Sequence, residues 1–335
     1  MGYAARLKQF DGLSCRLARN DEDDSARFCR LSNALYARKV DGAYYRWQFF
    51  NTPFPSVLSF VTTEDGELAG CYGFHVRRWA ATGEQIGMSL DIMVAPRYQG
   101  RGVFRALTDF AMERIRSYRP VAVYVMANRR AEEAHVHGLG WKRVNVFADW
   151  VCATSGASGV GGQGIEMVPV RNISAEDEEF VEMAGRLRDE QGLFSLARWP
   201  GFIEWRFARS PRYSYHIFRC ELRGRLLGFL ALKTFRDSVT GKAFGDVVDV
   251  IWAENDARVL GEMLQSALRY FYVKQVEEAV TWLQTNTVFD GSGRGLGFRR
   301  TARQRYLCFK ALDERYRWLE DPRRWFVTMA DTDLY

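Results

Sequence analysis

The sequence repeats itself, and this repeat limits the possible folds more than any other feature. Trp205 lies 158 residues after Trp47, and each tryptophan opens a similar heptapeptide, WQFFNTP or WRFARSP. The further pairs at this spacing, or one residue less, are Gly70 and Gly228, Asp91 and Asp249, Asn128 and Asn286, and Gly138–Trp141 and Gly295–Phe298. A chain of 335 residues with one internal repeat predicts two related domains of roughly 150 residues, each with its own core.

A Gly/Ser-rich segment marks the expected boundary between the two domains. Residues 153–164 read ATSGASGVGGQG, a composition typical of flexible linkers. We therefore expect a first domain at 1–152, a linker at 153–165, a second domain at 166–312 and an aromatic tail at 313–335. The tail carries Trp318 and Trp325 and is too aromatic to stay solvated, so we expect it to dock on a domain.

Both halves show the same predicted order of elements. A capped helix, Asp21 to Tyr36 or Ser174 to Gln191, comes first, and the helix with the paired tryptophan follows, where core packing is favoured over substrate stacking. Three strand-like runs, an amphipathic helix, an apolar strand, a short helix and a final hairpin complete each half. This order predicts an α/β fold with a mixed sheet and helices on both faces.

Composition excludes several classes of function. The net charge of +6 is spread along the chain without a long basic run, so no nucleic-acid partner is expected. Six cysteines form no C-x-x-C pair and the four histidines have no matching spacing, so no metal is expected. No run approaches the ~18 apolar residues of a membrane span, and a cytoplasmic location is expected.

The most informative segment is VAPRYQGRGVFRAL, from Val94 to Leu107. It reads as a strand end, a turn with Gly100 and Gly102, and a helix start. Such a turn presents backbone N–H groups at the positive end of a helix dipole, which suits a pyrophosphate. Three arginines, Arg97, Arg101 and Arg105, add positive charge. The alternative for so short a motif is an ordinary loop between strand and helix.

This segment resembles the acetyl-CoA signature of the GNAT acetyltransferases, Q/R-x-x-G-x-G/A. Gln99 and Gly102 match the first two fixed positions, whereas Phe104 departs from the third. The resemblance covers residues 13–152, and fainter likeness covers 166–310. It implies a tandem duplicated GNAT fold, with acyl-CoA as co-substrate. The implied cofactor-binding residues are Ile92, Met93 and Val94 for the pantetheine, and Gln99, Gly100, Arg101, Gly102, Val103, Phe104 and Asn128.

The corresponding turn in the second half lacks these features. It reads WAENDARVLG from Trp252 to Gly261, with two acidic residues where a phosphate would lie. Acidic side chains repel an anion, so one cofactor site is expected, in the first half, and the second half is a degenerate copy.

Two residues are candidates for proton transfer. Asp91 lies on the strand that leads to the turn and is the candidate base; a carboxylate facing the cleft there could have a raised pKa. Because Asp249 repeats it, a structural role for Asp91 is the alternative. The resemblance implies a tyrosine as acid seven residues after Asn128, where this chain has His135, and a surface position is the alternative. His75 and Glu84 are lesser candidates.

These features predict an N-acyltransferase that uses acyl-CoA, with acetyl-CoA as the expected donor. As acceptor, the resemblance implies the primary amine of a small polar molecule, which attacks the thioester directly. Two alternatives remain at this stage: an aminoacyl or peptidyl transferase of the related tandem type, and a non-catalytic acyl-CoA-binding protein.

Overall fold

The computed structural model describes residues 12–37, 39–158, 164–170, 193–237, 240–252, 256–282 and 288–333. The helix expected from Ser174 to Gln191, the central part of the Gly/Ser segment, Asn255 and Asn286 lie outside the described residues. The chain divides into two compact units. Unit 1 comprises Met1–Arg78, Glu84–Val144 and Tyr306–Glu320, and unit 2 comprises Trp79–Gly83, Asn145–Arg305 and Asp321–Tyr335.

These units are not the contiguous blocks expected from the sequence. The end of the first half, from Asn145 onwards, belongs to unit 2, and residues from Tyr306 to Glu320 of the second half belong to unit 1. Each unit therefore contains a strand from the other half of the sequence. A Gly/Ser-rich composition cannot reveal such an exchange, because strand pairing depends on partners that are distant in the chain.

Unit 1 contains six strands and four helices in its described part. The strands are β1 (Leu13–Leu17), β2 (Ser56–Thr63), β3 (Leu68–Arg78), β4 (Gln85–Val94), β5 (Ala122–Ala127) and the last residues of β12 (Arg299–Ala311). The helices are α1 (Glu22–Leu35), α2 (Gly42–Phe49), α3 (Val103–Ile115) and α4 (Arg129–Glu133).

The sheet of unit 1 has the order β1-β2-β3-β4-β5-β12. All neighbours are antiparallel except β4 and β5, which run parallel. Helices cover both faces: a Cβ atom at Gly70 would lie 3.0 Å from Leu107 of α3, whereas one at Gly73 would lie 2.9 Å from Phe49 of α2. Positions 70 and 73 differ by an odd number of residues, so they face opposite sides of the sheet.

The described part of unit 2 also contains six strands, together with three α-helices. Its strands are β6 (Lys142–Ala153, from Asn145), β7 (Glu166–Pro169), β8 (Tyr215–Leu222), β9 (Arg225–Arg236), β10 (Ala243–Trp252) and β11 (Glu278–Trp282). Its described helices are α5 (Pro200–Ile203), α6 (Ala257–Val273) and α7 (Val288–Gly295). The sheet order is β6-β11-β10-β9-β8-β7, with β10 and β11 parallel.

Strand register shows the repeat directly. Gly70 of β3 lies opposite Val94 of β4, and 158 residues later Gly228 of β9 lies opposite Trp252 of β10. Both glycines are required by close packing, because a Cβ atom at Gly228 would lie 2.4 Å from the Ile251 carbonyl oxygen. The β3–β4 pair and the β9–β10 pair each carry one register shift, next to Asp91 and Asp249, respectively. The strand pairing of the two units thus matches at these positions.

Side chains at the helix starts explain where the helices of unit 1 begin. Asp21 precedes α1 and accepts a hydrogen bond from the Asp24 N–H, and Asp41 caps α2 in the same way. These carboxylates satisfy N–H groups that have no partner within the helix. The capped helix predicted from Asp21 to Tyr36 is confirmed, with these two residues as its caps.

The end of the aromatic tail packs within unit 2. Trp325 is buried against Phe194, and Asp331 forms a buried ion pair with Arg198 at 2.6 Å. The expectation that this tail docks on a domain is confirmed for these residues. Among the described helices, none is both long and apolar enough to span a membrane.

Candidate functional site

A cleft of about 520 Å³ opens in unit 1 at the end of β4. Of the ten residues predicted to bind the cofactor, nine line it. They are Ile92, Met93, Val94, Gln99, Gly100, Gly102, Val103, Phe104 and Asn128. Arg101 is exposed and lies outside the lining. The fold therefore brings together residues from a strand, a turn, a helix start and a second strand end.

The cleft exists because β4 and β5 separate. Their parallel pairing runs only from Ile86 with Ala122 to Ser89 with Val125. Beyond Ser89 the β3–β4 register shifts at a bulge, where Asp91 adopts a left-handed conformation with φ of 44°. Bulges bend a strand and end its pairing. The segment 92–94 is thereby left without a strand partner on the cleft side.

Side chains bind two backbone carbonyls on this open edge. The Tyr36 hydroxyl donates to the Ile92 oxygen at 3.2 Å, and the Gln99 side-chain amide donates to the Val94 oxygen at 2.9 Å. Arg130 in turn donates to the side-chain oxygen of Gln99. The edge is thus capped by donors that a ligand with amide groups could replace.

The turn before α3 has the geometry of an anion site. Gly100 and Gly102 have φ of 74° and 79°, a region that favours glycine. Gly102 caps α3, and the first backbone bond within the helix runs from Ala106 to the Gly102 oxygen. The N–H groups of Val103 and Phe104 therefore have no partner within the helix, at the positive end of its dipole.

The charged residues in the lining of the cleft are both arginines, Arg105 and Arg130. Arg105 donates to the Gly138 carbonyl oxygen at 2.7 Å. Arg97, which the sequence also places near the turn, pairs with Glu67 and lies outside this lining. The cleft accordingly favours a negatively charged ligand.

Phe104, the departure from the family signature, forms part of the wall. Its ring packs against Tyr72 and His135, with centroid distances of 6.2 and 5.4 Å. It follows Gly102 and Val103, so its backbone N–H still lies in the first turn of α3. A bulky side chain at this position leaves the turn and the helix start intact.

Asn128 lines the cleft and also caps a helix. Its side-chain oxygen accepts a hydrogen bond from the Ala131 N–H at 2.9 Å and so caps α4. The helix continues as a π-helical turn over Ala134–Gly138. A π turn accommodates an extra residue within a helix and so shifts the residues that follow it.

His135 lies in the core, neither in the cleft lining nor on the surface. Its Nδ1 is 2.6 Å from the Ala131 carbonyl oxygen and its Nε2 is 3.0 Å from the Tyr72 hydroxyl. Burial lowers the pKa of His135 to about 4 despite the hydrogen bond to Ala131. The ring is therefore neutral at pH 7, and the geometry favours a structural role over the proton donor expected from the sequence.

Asp91 is also buried, at the bulge. One carboxylate oxygen accepts a hydrogen bond from the Tyr44 hydroxyl at 3.1 Å, and the Asp91 carbonyl accepts one from the Cys71 thiol. Its side chain lies outside the lining of the cleft, although the next residue, Ile92, is part of it. Aspartate tolerates the left-handed region better than most residues, which explains its place at the bulge.

The two lesser candidates lie outside the cleft lining. His75 is buried with its Nε2 2.7 Å from the Gln48 carbonyl oxygen. Glu84 accepts a hydrogen bond from the Tyr316 hydroxyl. The paired Trp47 and Trp205 are both buried, as core packing predicts.

In unit 2 aromatic rings fill the place that corresponds to the cleft. Trp252 holds the strand position of Val94, and its ring packs 6.2 Å from Phe289 and 5.6 Å from Phe326. Phe289 lies 158 residues after Ala131, a small residue that lines the cleft in unit 1. Large side chains thus replace small ones on both walls.

Two residues near the open edge are not indicated by the sequence motifs. Tyr36 binds the Ile92 carbonyl oxygen, and Arg130 binds the side chain of Gln99. The position of Arg130 two residues after Asn128 is a usable signal, because Asn128 caps the helix in which Arg130 lies and both residues line the cleft. Tyr36 gives no such signal, since its partner Ile92 is 56 residues away.

A family model described as acetyltransferase (GNAT) domain matches residues 16–144. This stretch contains every residue of the cleft. Residues 16–144 are a GNAT domain. A search among curated proteins found no match to the chain.

Solved structures with the same fold extend the likeness beyond the GNAT domain. A GCN5-related N-acetyltransferase from Anabaena variabilis superimposes with a TM-score of 0.64 at 12% identity, covering 90% of this chain and 73% of that one. One from Kribbella flavida gives 0.63 at 14%, covering 90% and 72%. N-myristoyltransferase from Saccharomyces cerevisiae, solved with myristoyl-CoA, gives 0.64 at 10%, covering 90% and 79%. The predicted mixed α/β fold of this superfamily is confirmed.

Proposed function

We propose that this protein is an acyl-CoA-dependent N-acyltransferase, with acetyl-CoA as donor and the primary amine of a small polar molecule as acceptor. One observation carries the proposal: the turn from Gln99 to Phe104 and the open strand edge at residues 92–94 border the same cleft. An anion site next to a strand edge that lacks a strand partner suits a ligand that combines a pyrophosphate with an amide-bearing arm.

The residues present fit such a ligand. The N–H groups at the start of α3, together with Arg105 and Arg130, would hold the phosphates. The backbone at Ile92 and Val94 would bind the amides of the pantetheine, and Gly102 would allow close approach of the chain to the phosphates. The two arginines add charge-assisted bonds, which are about twice as strong as neutral ones.

The acyl group would move in one step. The amine nitrogen attacks the thioester carbonyl, a C–N bond forms and the C–S bond breaks. The ammonium proton leaves to a base, and the thiolate takes up a proton. Asp91 is proposed as the base because it adjoins the cleft at the bulge, and His135 as a positioning residue that acts through Tyr72, since it is neutral and buried.

A non-catalytic acyl-CoA-binding protein is the second candidate. The observation that favours it concerns α4 and the π turn that follows. The residues that line the cleft from the middle of α4 to the end of this turn are Ala131, Ala134 and Gly138. None of these residues can donate a proton from its side chain. Such a protein would bind acyl-CoA without releasing free CoA in the presence of any amine.

Calorimetric titration with acetyl-CoA, octanoyl-CoA and free CoA tests the donor. Micromolar binding at one site per chain is expected, and the preferred chain length identifies the acyl group. Gly102→Glu should abolish binding because it places a carboxylate at the phosphate site. Gly224→Glu is the matched control: Gly224 has a similar φ of 77° in an open turn of unit 2, so it adds the same charge and strain elsewhere. Equal affinities in the two variants would contradict the proposal.

A further inference from the structure

Two consecutive hydrogen bonds cross the mouth of the cleft. Arg130, at the start of α4, donates to the side-chain oxygen of Gln99. The amide nitrogen of Gln99 then donates to the carbonyl oxygen of Val94 at 2.9 Å. All three residues line the cleft, so the relay joins one wall to the other.

The Val94 carbonyl is the acceptor that a ligand on this edge would need. The adjacent Ala95 N–H donates to the Ala69 oxygen of β3. Because hydrogen-bonded and non-hydrogen-bonded pairs alternate in an antiparallel ladder, Val94 opposite Gly70 directs its polar groups away from β3. Its carbonyl therefore points toward the side that β5 has left, and the Gln99 amide covers it there.

Arg130 holds this cap in place by a bond that a phosphate would replace. A guanidinium binds a phosphate oxygen more strongly than a neutral amide oxygen, because both partners are then charged. The anion site of the cleft is the turn with Gly100 and Gly102, which directly follows Gln99. Phosphate bound there would draw Arg130 from Gln99 and remove the bond that orients the Gln99 amide.

We infer that Arg130 and Gln99 couple phosphate binding to the opening of the strand edge, so that the cleft selects thioesters of CoA over phosphate-free thioesters of pantetheine. This inference rests on the proposed function. The phosphates contribute their own contacts and also release Val94 for the amide of the pantetheine. A pantetheine arm without phosphates meets the capped edge and must break the Gln99 bond itself.

The coupling is measurable with two fragments, pantetheine and inorganic pyrophosphate. Pantetheine is uncharged, so pyrophosphate has no direct electrostatic effect on its binding. In the wild-type protein, saturating pyrophosphate should tighten pantetheine binding about threefold to tenfold, the equivalent of one net hydrogen bond. NMR titration detects such weak binding, and circular dichroism confirms that each variant is folded.

Two variants and one control complete the experiment. Gln99→Ala should bind pantetheine more tightly than the wild type by a similar factor, and pyrophosphate should add nothing. Arg130→Ala should also lose the effect of pyrophosphate. Arg129→Ala should behave like the wild type, because the neighbouring Arg129 pairs with Glu133 and lies outside the cleft lining.

The outcomes distinguish a failure of this inference from a failure of the proposed function. If CoA binds but pyrophosphate leaves pantetheine binding unchanged in the wild type, the coupling is absent. It is equally refuted if Gln99→Ala keeps the pyrophosphate effect or shows no detectable pantetheine binding. If the wild type binds neither CoA nor pyrophosphate, the proposed function itself fails.

Discussion

The Tyr72 hydroxyl lies 3.0 Å from Nε2 of His135, and a backbone carbonyl fixes which of the two groups is the donor. Because the Ala131 oxygen can only accept, Nδ1 of His135 carries the proton. Nε2 is therefore an acceptor, and Tyr72 donates to it. Burial lowers the pKa of His135 and raises that of Tyr72, so neither group ionises near pH 7. The pair supports the wall on which Phe104 packs.

This neutral histidine predicts a loss of stability in mild acid. The pKa of His135 is about 4 in the folded protein and ~6.5 when unfolded, so the unfolded chain binds the proton first. Its contribution to stability is full above pH 6.5 and falls as the pH drops toward 4. Between pH 7 and 5 the loss is about 2 kcal/mol. Urea titrations at both pH values measure it.

The variant His135→Gln should flatten this part of the pH profile. The exposed His137→Gln is the control and should keep the wild-type slope. This pH range lies above the titration of Asp24, because desolvation raises its pKa less than the hydrogen bonds from Arg16 and Arg19 lower it, to about 2. Equal slopes in His135→Gln and the wild type would mean that His135 has the same pKa in the folded and the unfolded protein.

Removing the Tyr36 hydroxyl should strengthen CoA binding. Tyr36→Phe keeps the ring at the cleft but frees the Ile92 carbonyl, which the hydroxyl now occupies at 3.2 Å. One neutral hydrogen bond no longer has to be broken, so we expect the dissociation constant to fall about twofold to tenfold. Tyr98→Phe, in the same lining, should leave it unchanged. Weaker binding by Tyr36→Phe would mean that its hydroxyl contacts the ligand.

Local patterns predicted the parts of the fold that depend on neighbouring residues. The spacing of 158 residues anticipated the matching registers of Gly70 with Val94 and Gly228 with Trp252. Eight of the nine predicted residues that line the cleft fall between Ile92 and Phe104, where a strand end, two glycines and a helix start form one continuous segment, and Asn128 is the ninth. Capping by Asp21 was also readable, because it acts over three residues.

Other features depend on distant contacts or on a single inserted residue. Counting from Asn128 placed His135 at the position of a catalytic tyrosine, but the π turn over Ala134–Gly138 places it in the core. The open edge is capped by Tyr36, far away in the sequence. The part of β12 that belongs to unit 1, from Tyr306 onwards, comes from the second half of the sequence. No periodicity encodes any of these three facts.

The repeated aspartates should respond differently to substitution. Asp249 is fully buried and accepts bonds from Arg198 at 2.7 Å and from Thr328 at 2.7 Å. Asp249→Ala leaves the Arg198 charge with one partner fewer, and should cost about 3–5 kcal/mol of unfolding free energy. Because this cluster belongs to unit 2, CoA affinity should stay unchanged. Chemical denaturation and calorimetry give the two readouts.

Asp91→Asn should instead preserve both stability and CoA affinity. Asparagine tolerates a positive φ and its amide oxygen can accept the Tyr44 bond. Once an amine acceptor is found, this variant decides the role of Asp91. A base predicts a fall in kcat of at least ~100-fold with little change in KM for the donor. An unchanged kcat would assign Asp91 to the bulge alone.

Substitutions of the residues that end β4 and β10 test why only one unit is expected to bind the cofactor. Val94→Trp introduces in unit 1 the ring that Trp252 contributes in unit 2, and should fill the cleft and lower CoA affinity by at least ~100-fold. Val273→Trp, at a 75% exposed position of α6, controls for the added ring and should bind CoA normally.

Trp252→Ala should cost about 3–5 kcal/mol of unfolding free energy through the cavity between Phe289 and Phe326. It should still bind one CoA per chain, because removing a ring does not create the glycine turn that Gly100 and Gly102 provide. A second CoA site in Trp252→Ala would mean that the aromatic rings alone had closed unit 2.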